Sequence, residues 1–255
     1  MGSPRTWASD NATGPVMENT SYISLSRQAV VQRQMQVIAN NVANASTPAF
    51  KSERLLFQEF VEQAGDGTEI SFVQDVAVIR DLSEGSFDRT GNPLDLAISG
   101  EGYFAVETPK GTEYTRNGRF QIDGDGQLVT GSGHPLLGEG DRPIVLNPGE
   151  TMIEINPDGV IGTSAGPIGR VQVVRFEDQQ AMQQTEGGLF ETDQAALPSP
   201  EAKVIQGMVE ASNVQPIVEM TRMIDAVRGY QSTQTMVQSE HERQISTIQA
   251  LTEPA

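Results

Sequence analysis

A chain of 255 residues, 37% hydrophobic and with mean hydropathy −0.34, can bury one or two cores but has no apolar run near the roughly 20 residues of a membrane span. The absence of cysteine excludes a disulfide framework and thiol chemistry. The net charge of −17 is uneven: residues 61–200 hold 23 acidic against eight basic side chains, the two ends together 11 against nine, so nucleic acid finds no basic face to displace its counterions. Near-neutral ends can pack against copies of themselves with little repulsion, while an acidic middle suits a solvated surface.

Residues 1–16 are rich in Gly, Ser, Pro and Thr without periodicity, which predicts a disordered extension, and they lack the apolar stretch of a cleavable secretory signal. From about Thr20 to Ala45 the pattern predicts a helix. Val31, Met35, Ile38 and Val42 share one face by 4-3-4 spacing, and glutamines recur at 28, 32, 34 and 36. Asn40, Asn41, Asn44, Ser46 and Thr47 compete for backbone hydrogen bonds ahead of Pro48, so the helix is expected to stop there.

Residues 49–63 carry an apolar cluster of Leu55, Leu56, Phe57 and Phe60. To about residue 195 the pattern is then β, with strands expected near 73–79, 94–98, 103–107, 113–116, 127–130, 152–155 and 170–176. Turn signals separate them at 91–93, 109–111, 123–126 and 156–159. Residues 197–200 read as an exit linker, and 201–211 as a return segment.

Ser212, Asn213 and Pro216 mark the start of a final helix from about Val214 to Leu251, a rod of roughly 55 Å. Its apolar stripe is Ile217, Met220, Ile224 and Val227, continued by Gln231, Gln234, Gln238 and His241 and then by Ile245 and Ile248. A lone helix of that length needs partners. The fold class expected is α+β: long N- and C-terminal helices pairing as an assembly domain, with an inserted antiparallel all-β domain. The expected boundaries are an extension at 1–16, helix and linker at 17–60, β domain at 61–200 and C-terminal helix at 201–255.

Catalytic patterns do not hold together. Gly162-Thr-Ser164-Ala-Gly166 has the spacing of a nucleophile elbow, but Pro167 follows at once and the next segment reads as a strand rather than the required helix. Asp123-Gly-Asp125-Gly-Gln127 begins like a calcium loop yet has Leu128 and His134 where glycine and glutamate belong, so a hairpin tip is expected. The two histidines, His134 and His241, are too few and too separated for zinc. A hydrolase built on Ser164 and a discrete binding module forming a closed oligomer remain as alternatives.

Four blocks of residues resemble the bacterial flagellar rod and hook proteins. Residues 38–51 (IANNVANASTPAFK), with Asn40, Asn41, Asn44, Phe50 and Lys51, resemble the N-terminal signature of that family. Residues 91–106 (GNPLDLAISGEGYFAV) are similar to its central motif through Gly91, Asn92, Pro93, Leu94, Asp95, Gly100 and Gly102, extended by Asn117 and Gly118 within 114–120. Gln206, Gly207, Glu210, Ser212, Asn213, Val214, Glu219, Met220, Arg228 and Tyr230 resemble the C-terminal signature. Ala49 stands where the family often has glycine, and Gln231 where glutamate is common.

The resemblance implies a structural subunit of the basal-body rod, without enzymatic activity or cofactor, most similar to proximal-rod members and next to distal-rod ones. It implies assembly with copies of itself and other rod proteins, with Val31, Met35, Ile38, Val42, Ile217, Met220, Ile224 and Val227 as the assembly faces. It also implies passage through the flagellar type III export apparatus to a periplasmic rod, with neither membrane insertion nor nucleic-acid binding.

Overall fold

The computed structural model describes residues 14–63, 69–146 and 153–252. The chain forms two compact units, one from the described parts of 1–40, 54–79 and 217–255, the other from 41–53 and 80–216. The architecture is α+β, with one N-terminal helix, one C-terminal helix and a largely antiparallel β-rich part.

Helix α1 spans Gly14–Ala43, beginning six residues before the predicted start; most of the expected extension, residues 1–13, lies outside the described residues. It ends where the Asn-rich run predicts. The Asn44 amide donates to the Asn41 carbonyl, and the Thr47 hydroxyl donates to the Asn44 side chain at 3.1 Å. Helix α2 spans Pro216–Thr252, with proline at its first turn, where no amide proton is needed. In the unit they share, Gln28 Nε2 donates to the Tyr230 hydroxyl at 2.7 Å, joining the two helices.

Strands β1 (Glu53–Gln63) and β2 (Glu69–Arg80) form a two-stranded hairpin. β1 falls where the sequence shows only an apolar cluster, because the run Leu55-Leu56-Phe57 and the pair Phe60-Val61 break the alternation that signals a half-buried strand. Leu56 and Phe57 remain exposed on it.

The second unit carries the β framework. β3 (Phe87–Arg89) pairs with 208–210, and β4 (Leu96–Ser99) with 203–206. The return segment expected to belong with the C-terminal helix is therefore built of strands and completes the β part; strands of four and three residues are too brief to show a period. β5 (Tyr103–Thr108) and β6 (Gly111–Thr115) form the centre of a six-stranded sheet in the order 183–184, 190–191, β6, β5, 173–175, 197–198. Alternation along β5 divides the packing. Phe104 and Val106 enter the main core with Leu96, Leu128, Leu136 and Ile161, whereas Tyr103 packs with Phe176, Met182 and Phe190. β7 (Phe120–Ile122) and β8 (Leu128–Thr130) form the expected hairpin, and the Asp123 carboxylate accepts the Asp125 and Gln127 amides at 2.9 and 2.8 Å. Met152, at the start of the strand expected near 152–155, is outside the described residues; 154–155 is a strand.

Candidate functional site

The two faces of α2 differ in exposure. Glu219, Ala226 and Thr233 are buried, and Met223, Tyr230 and Val237 are half-buried, at steps of three and four residues. The predicted stripe lies about 120° round the helix from that face. Ile217 is 82% exposed, Met220 54%, Ile224 52% and Val227 37%, with Gln231, Gln234, Gln238 and His241 exposed beyond them. The covered side thus mixes Met223, Tyr230 and Val237 with Glu219, Ala226 and Thr233, while four large apolar side chains remain on the open side.

On α1 the expected face behaves differently. Ile38 is 4% exposed and so is enclosed within the subunit rather than held out for a neighbour; Val31, Met35 and Val42 are half-buried.

The motif residues build a connected network inside the second unit. Asn41 brackets Glu53, donating to its carbonyl at 2.8 Å and accepting its amide at 2.9 Å. Asn213 does not cap α2 as its position suggests. It accepts the Ser52 amide at 2.7 Å and donates to the carbonyls of Asp81 and Ser83 at 2.8 and 3.0 Å. Lys51 Nζ reaches the Ser83 carbonyl at 2.7 Å and Glu210 Oε1 at 2.6 Å. Arg116 Nε donates to Glu210 Oε2 at 2.8 Å, and its terminal nitrogens donate to the carbonyls of Gly100, Gly102 and Ile98. Glu84 lies 3.5 Å from Arg116 and accepts the Gly100 amide. The side chains of Lys51, Arg116 and Glu210 are 6%, 7% and 0% exposed.

Glu210 belongs to the C-terminal motif and Arg116 to the 114–120 block, but neither is marked there as a partner of Lys51, and Glu84 lies outside the motifs. Glu210 lies 159 residues from Lys51 and 94 from Arg116, so no local spacing announces the cluster.

Two conformational requirements explain other motif positions. A Cβ at Gly118 would stand 1.6 Å from the Leu96 carbonyl oxygen, because the Gly118 carbonyl accepts the Leu96 amide there. Gly118→Ala is expected to lower stability by about 1–3 kcal/mol in thermal unfolding as the backbones are forced apart. Ala49 adopts φ 59°, the left-handed conformation that glycine tolerates best, held by its amide donating to the Glu210 carbonyl at 2.8 Å.

Elsewhere the motif forms turns. Leu94 N and Asp95 N donate to the Asn92 side chain and carbonyl, and Gly91 N donates to the Gly207 carbonyl, which leaves Pro93 at a bend where no amide is required. Asn117 Oδ1 accepts the Arg119 amide, and Ser212 Oγ accepts the Val214 amide. Phe50 is buried, Glu219 pairs with Arg222 one turn on, and Asn40 and Arg228 are exposed.

Burial alone would push the Glu210 carboxyl up, but Arg116 and Lys51 outweigh it and hold the group below its ordinary 4.5. A depressed carboxylate pKa stabilises the fold above the unfolded-state value, and that stability is lost as pH falls through the folded-state value. Chemical denaturation between neutral pH and about pH 3 is expected to show stability falling over this acid range. The slope should be shallower for Glu210→Gln, which has no proton to take up.

Ser164 and Ala165 form the loop of a hairpin in which Thr163 faces Gly166, with a strand rather than a helix after it, so the nucleophile-elbow geometry is not present. No helix among the described residues is long and apolar enough to cross a membrane.

Comparison with known proteins agrees with this arrangement. Residues 22–51 match the family described as flagella basal body rod protein, 97–163 the flagellar hook protein FlgE/F/G D1 domain, and 205–250 the flagellar basal body rod FlgEFG protein C-terminal region. The flagellar basal-body rod protein FlgF of Caulobacter vibrioides is 37% identical over 243 residues, covering 92% of this chain and 98% of that protein. FlgF of Mesorhizobium japonicum is 33% identical over 224 residues, covering 87% and 92%. FlgG of Buchnera aphidicola from Schizaphis graminum is 32% identical over 230 residues, covering 78% and 87%. The chain belongs to the flagellar basal-body rod protein family, whose members are structural proteins and not enzymes.

Proposed function

We propose that this chain is a rod subunit of the proximal, FlgF-like kind, polymerising through its terminal helices into a non-closing helical array that carries torque from motor to hook. The observation that carries this reading is the stripe of Ile217, Met220, Ile224 and Val227, exposed along a 37-residue helix whose other face is already covered. Four apolar side chains on one line are a costly surface for a solitary protein and an economical one for a repeating contact. The Gln28–Tyr230 hydrogen bond supports pairing of α1 with α2 as one assembly domain. Export through the flagellar type III apparatus, residence in the periplasmic rod, and partnership with copies of itself and other rod proteins belong to the same reading. Nucleic acid has no part in it.

The experiment is localisation in isolated basal bodies. A tag inserted at the exposed Ser164–Ala165 turn is expected to appear along the rod nearest the motor. A tag restricted to the hook-proximal end would assign the chain to the distal rod instead, and absence from basal bodies would defeat the proposal.

A further inference from the structure

Three stretches of the second unit, residues 47–53, 81–86 and 208–214, are joined by a set of polar bonds and stand apart from the main apolar core. Ala49 N donates to the Glu210 carbonyl, Asp81 N to the Ser52 carbonyl, Ala211 N to the Ser86 carbonyl and Asn213 N to the Phe50 carbonyl. Every buried member of the main apolar core lies between Leu96 and Val204, and outside these three stretches. Where they meet, the charged cluster lies beside the buried Ala49, Phe50, Val209 and Val214.

We propose that Lys51, Glu210, Arg116 and Glu84 form a proton-sensitive latch, closing these three stretches on one another and releasing them separately from the apolar core. Glu210 is the shared anion. Lys51 and Arg116 face it at salt-bridge distance, the Gly85 amide donates to Oε1 at 3.1 Å, Glu84 lies across Arg116, and the Tyr103 phenol is close enough to interact with both Glu210 and Arg116. Adding one proton to Glu210 leaves Lys51 and Arg116 buried without their shared anion, and the 38% exposed Glu84 lies 3.5 Å from Arg116 alone among the described ion pairs. Buried cations without an anion are among the most unfavourable arrangements in a protein interior. The main core, made of aliphatic and aromatic side chains, does not lose its packing on that proton, so the two regions can open as distinct cooperative units.

The three stretches carry the chain out to β1, back from β2 and on towards α2. Release of the latch therefore loosens the stretches next to three of the four chain crossings between the two units, while the β core stays folded. This follows from the buried cluster alone and holds whether or not the chain is a proximal-rod subunit.

Amide exchange of the full chain, followed by mass spectrometry, tests it. Glu210→Gln, a neutral stand-in for the protonated side chain, is expected at neutral pH to speed exchange at least about tenfold in peptides covering 47–53, 81–86 and 208–214. Peptides covering 103–108 and 128–130 should keep wild-type protection. The wild type brought to about pH 3.5, with rates corrected for their intrinsic pH dependence, should show the same division, and this second series decides the matter even if the variant fails to fold. Exchange rising by one common factor throughout the second unit, or unchanged in the three stretches, would overturn the latch.

Discussion

Glu210→Leu is expected to destabilise the subunit by about 3–5 kcal/mol in urea unfolding, because the change leaves Lys51 and Arg116 buried without their common anion. The magnitude comes from desolvation rather than from the strength of the pair. Two charges already removed from water keep that penalty when the opposite charge is deleted. The cluster is also spread over four chain passages, so the loss reaches each of them: Lys51 holds the Ser83 carbonyl, and Arg116 ties the carbonyls of Ile98, Gly100 and Gly102. The double variant Lys51→Met/Glu210→Leu removes one cation with the anion and leaves Arg116 facing Glu84. It is expected to cost less than the two single changes added together, by at least about 1 kcal/mol. Strict additivity would mean that Lys51 and Glu210 act independently despite their 2.6 Å separation.

Ile224→Glu, alone or with Met220→Glu, is expected to stay within about 0.5 kcal/mol of the wild-type stability and yet to abolish incorporation into rods. Both positions are more than half exposed, and glutamate is a good helix former, so the isolated subunit has little to lose. In an array each such side chain contributes about 1.5–3 kcal/mol when buried, and a charge in its place carries a desolvation penalty instead. Since every 1.4 kcal/mol is tenfold in affinity, one substitution repeated at each subunit contact is enough to stop polymerisation. Circular dichroism and urea unfolding check the first half of the prediction. Electron microscopy of basal bodies, with swimming as the physiological reading, checks the second. The matched control is an exposed polar position of the same helix, Ser232→Glu, which should assemble normally.

Much of the architecture is legible in the sequence because it is local. Asn-rich termination of α1, proline at the start of α2 and Gly- or Pro-marked hairpin tips depend on residues adjacent in the chain, and they fall where their chemistry predicts. The strands at 203–206 and 208–210 are not legible, since each has meaning only through a partner more than 100 residues earlier. Asn213 shows the same limit in one side chain. Its place before a helix suggests a cap, but the folded chain brings three backbone groups within reach that use its amide fully.

The charged cluster is the extreme case: its members are scattered from Lys51 to Glu210, and burial rather than spacing gives them their effect. For α2, periodicity finds a stripe but cannot say which way it points. Large apolar residues stand on both faces, Met223, Tyr230 and Val237 on the covered one and Ile217, Met220, Ile224 and Val227 on the open one, so periodicity alone does not choose between them.

Because the chain has no cysteine, Ile224→Cys and Ala226→Cys each introduce a single thiol, one on the open face of α2 and one on the covered face. In the free subunit a maleimide is expected to label position 224 rapidly and position 226 slowly. In assembled rods labelling at position 224 should fall to the slow rate of position 226, because neighbouring subunits have closed over the apolar stripe. Equal, rapid labelling at position 224 before and after assembly would contradict the role assigned to that face.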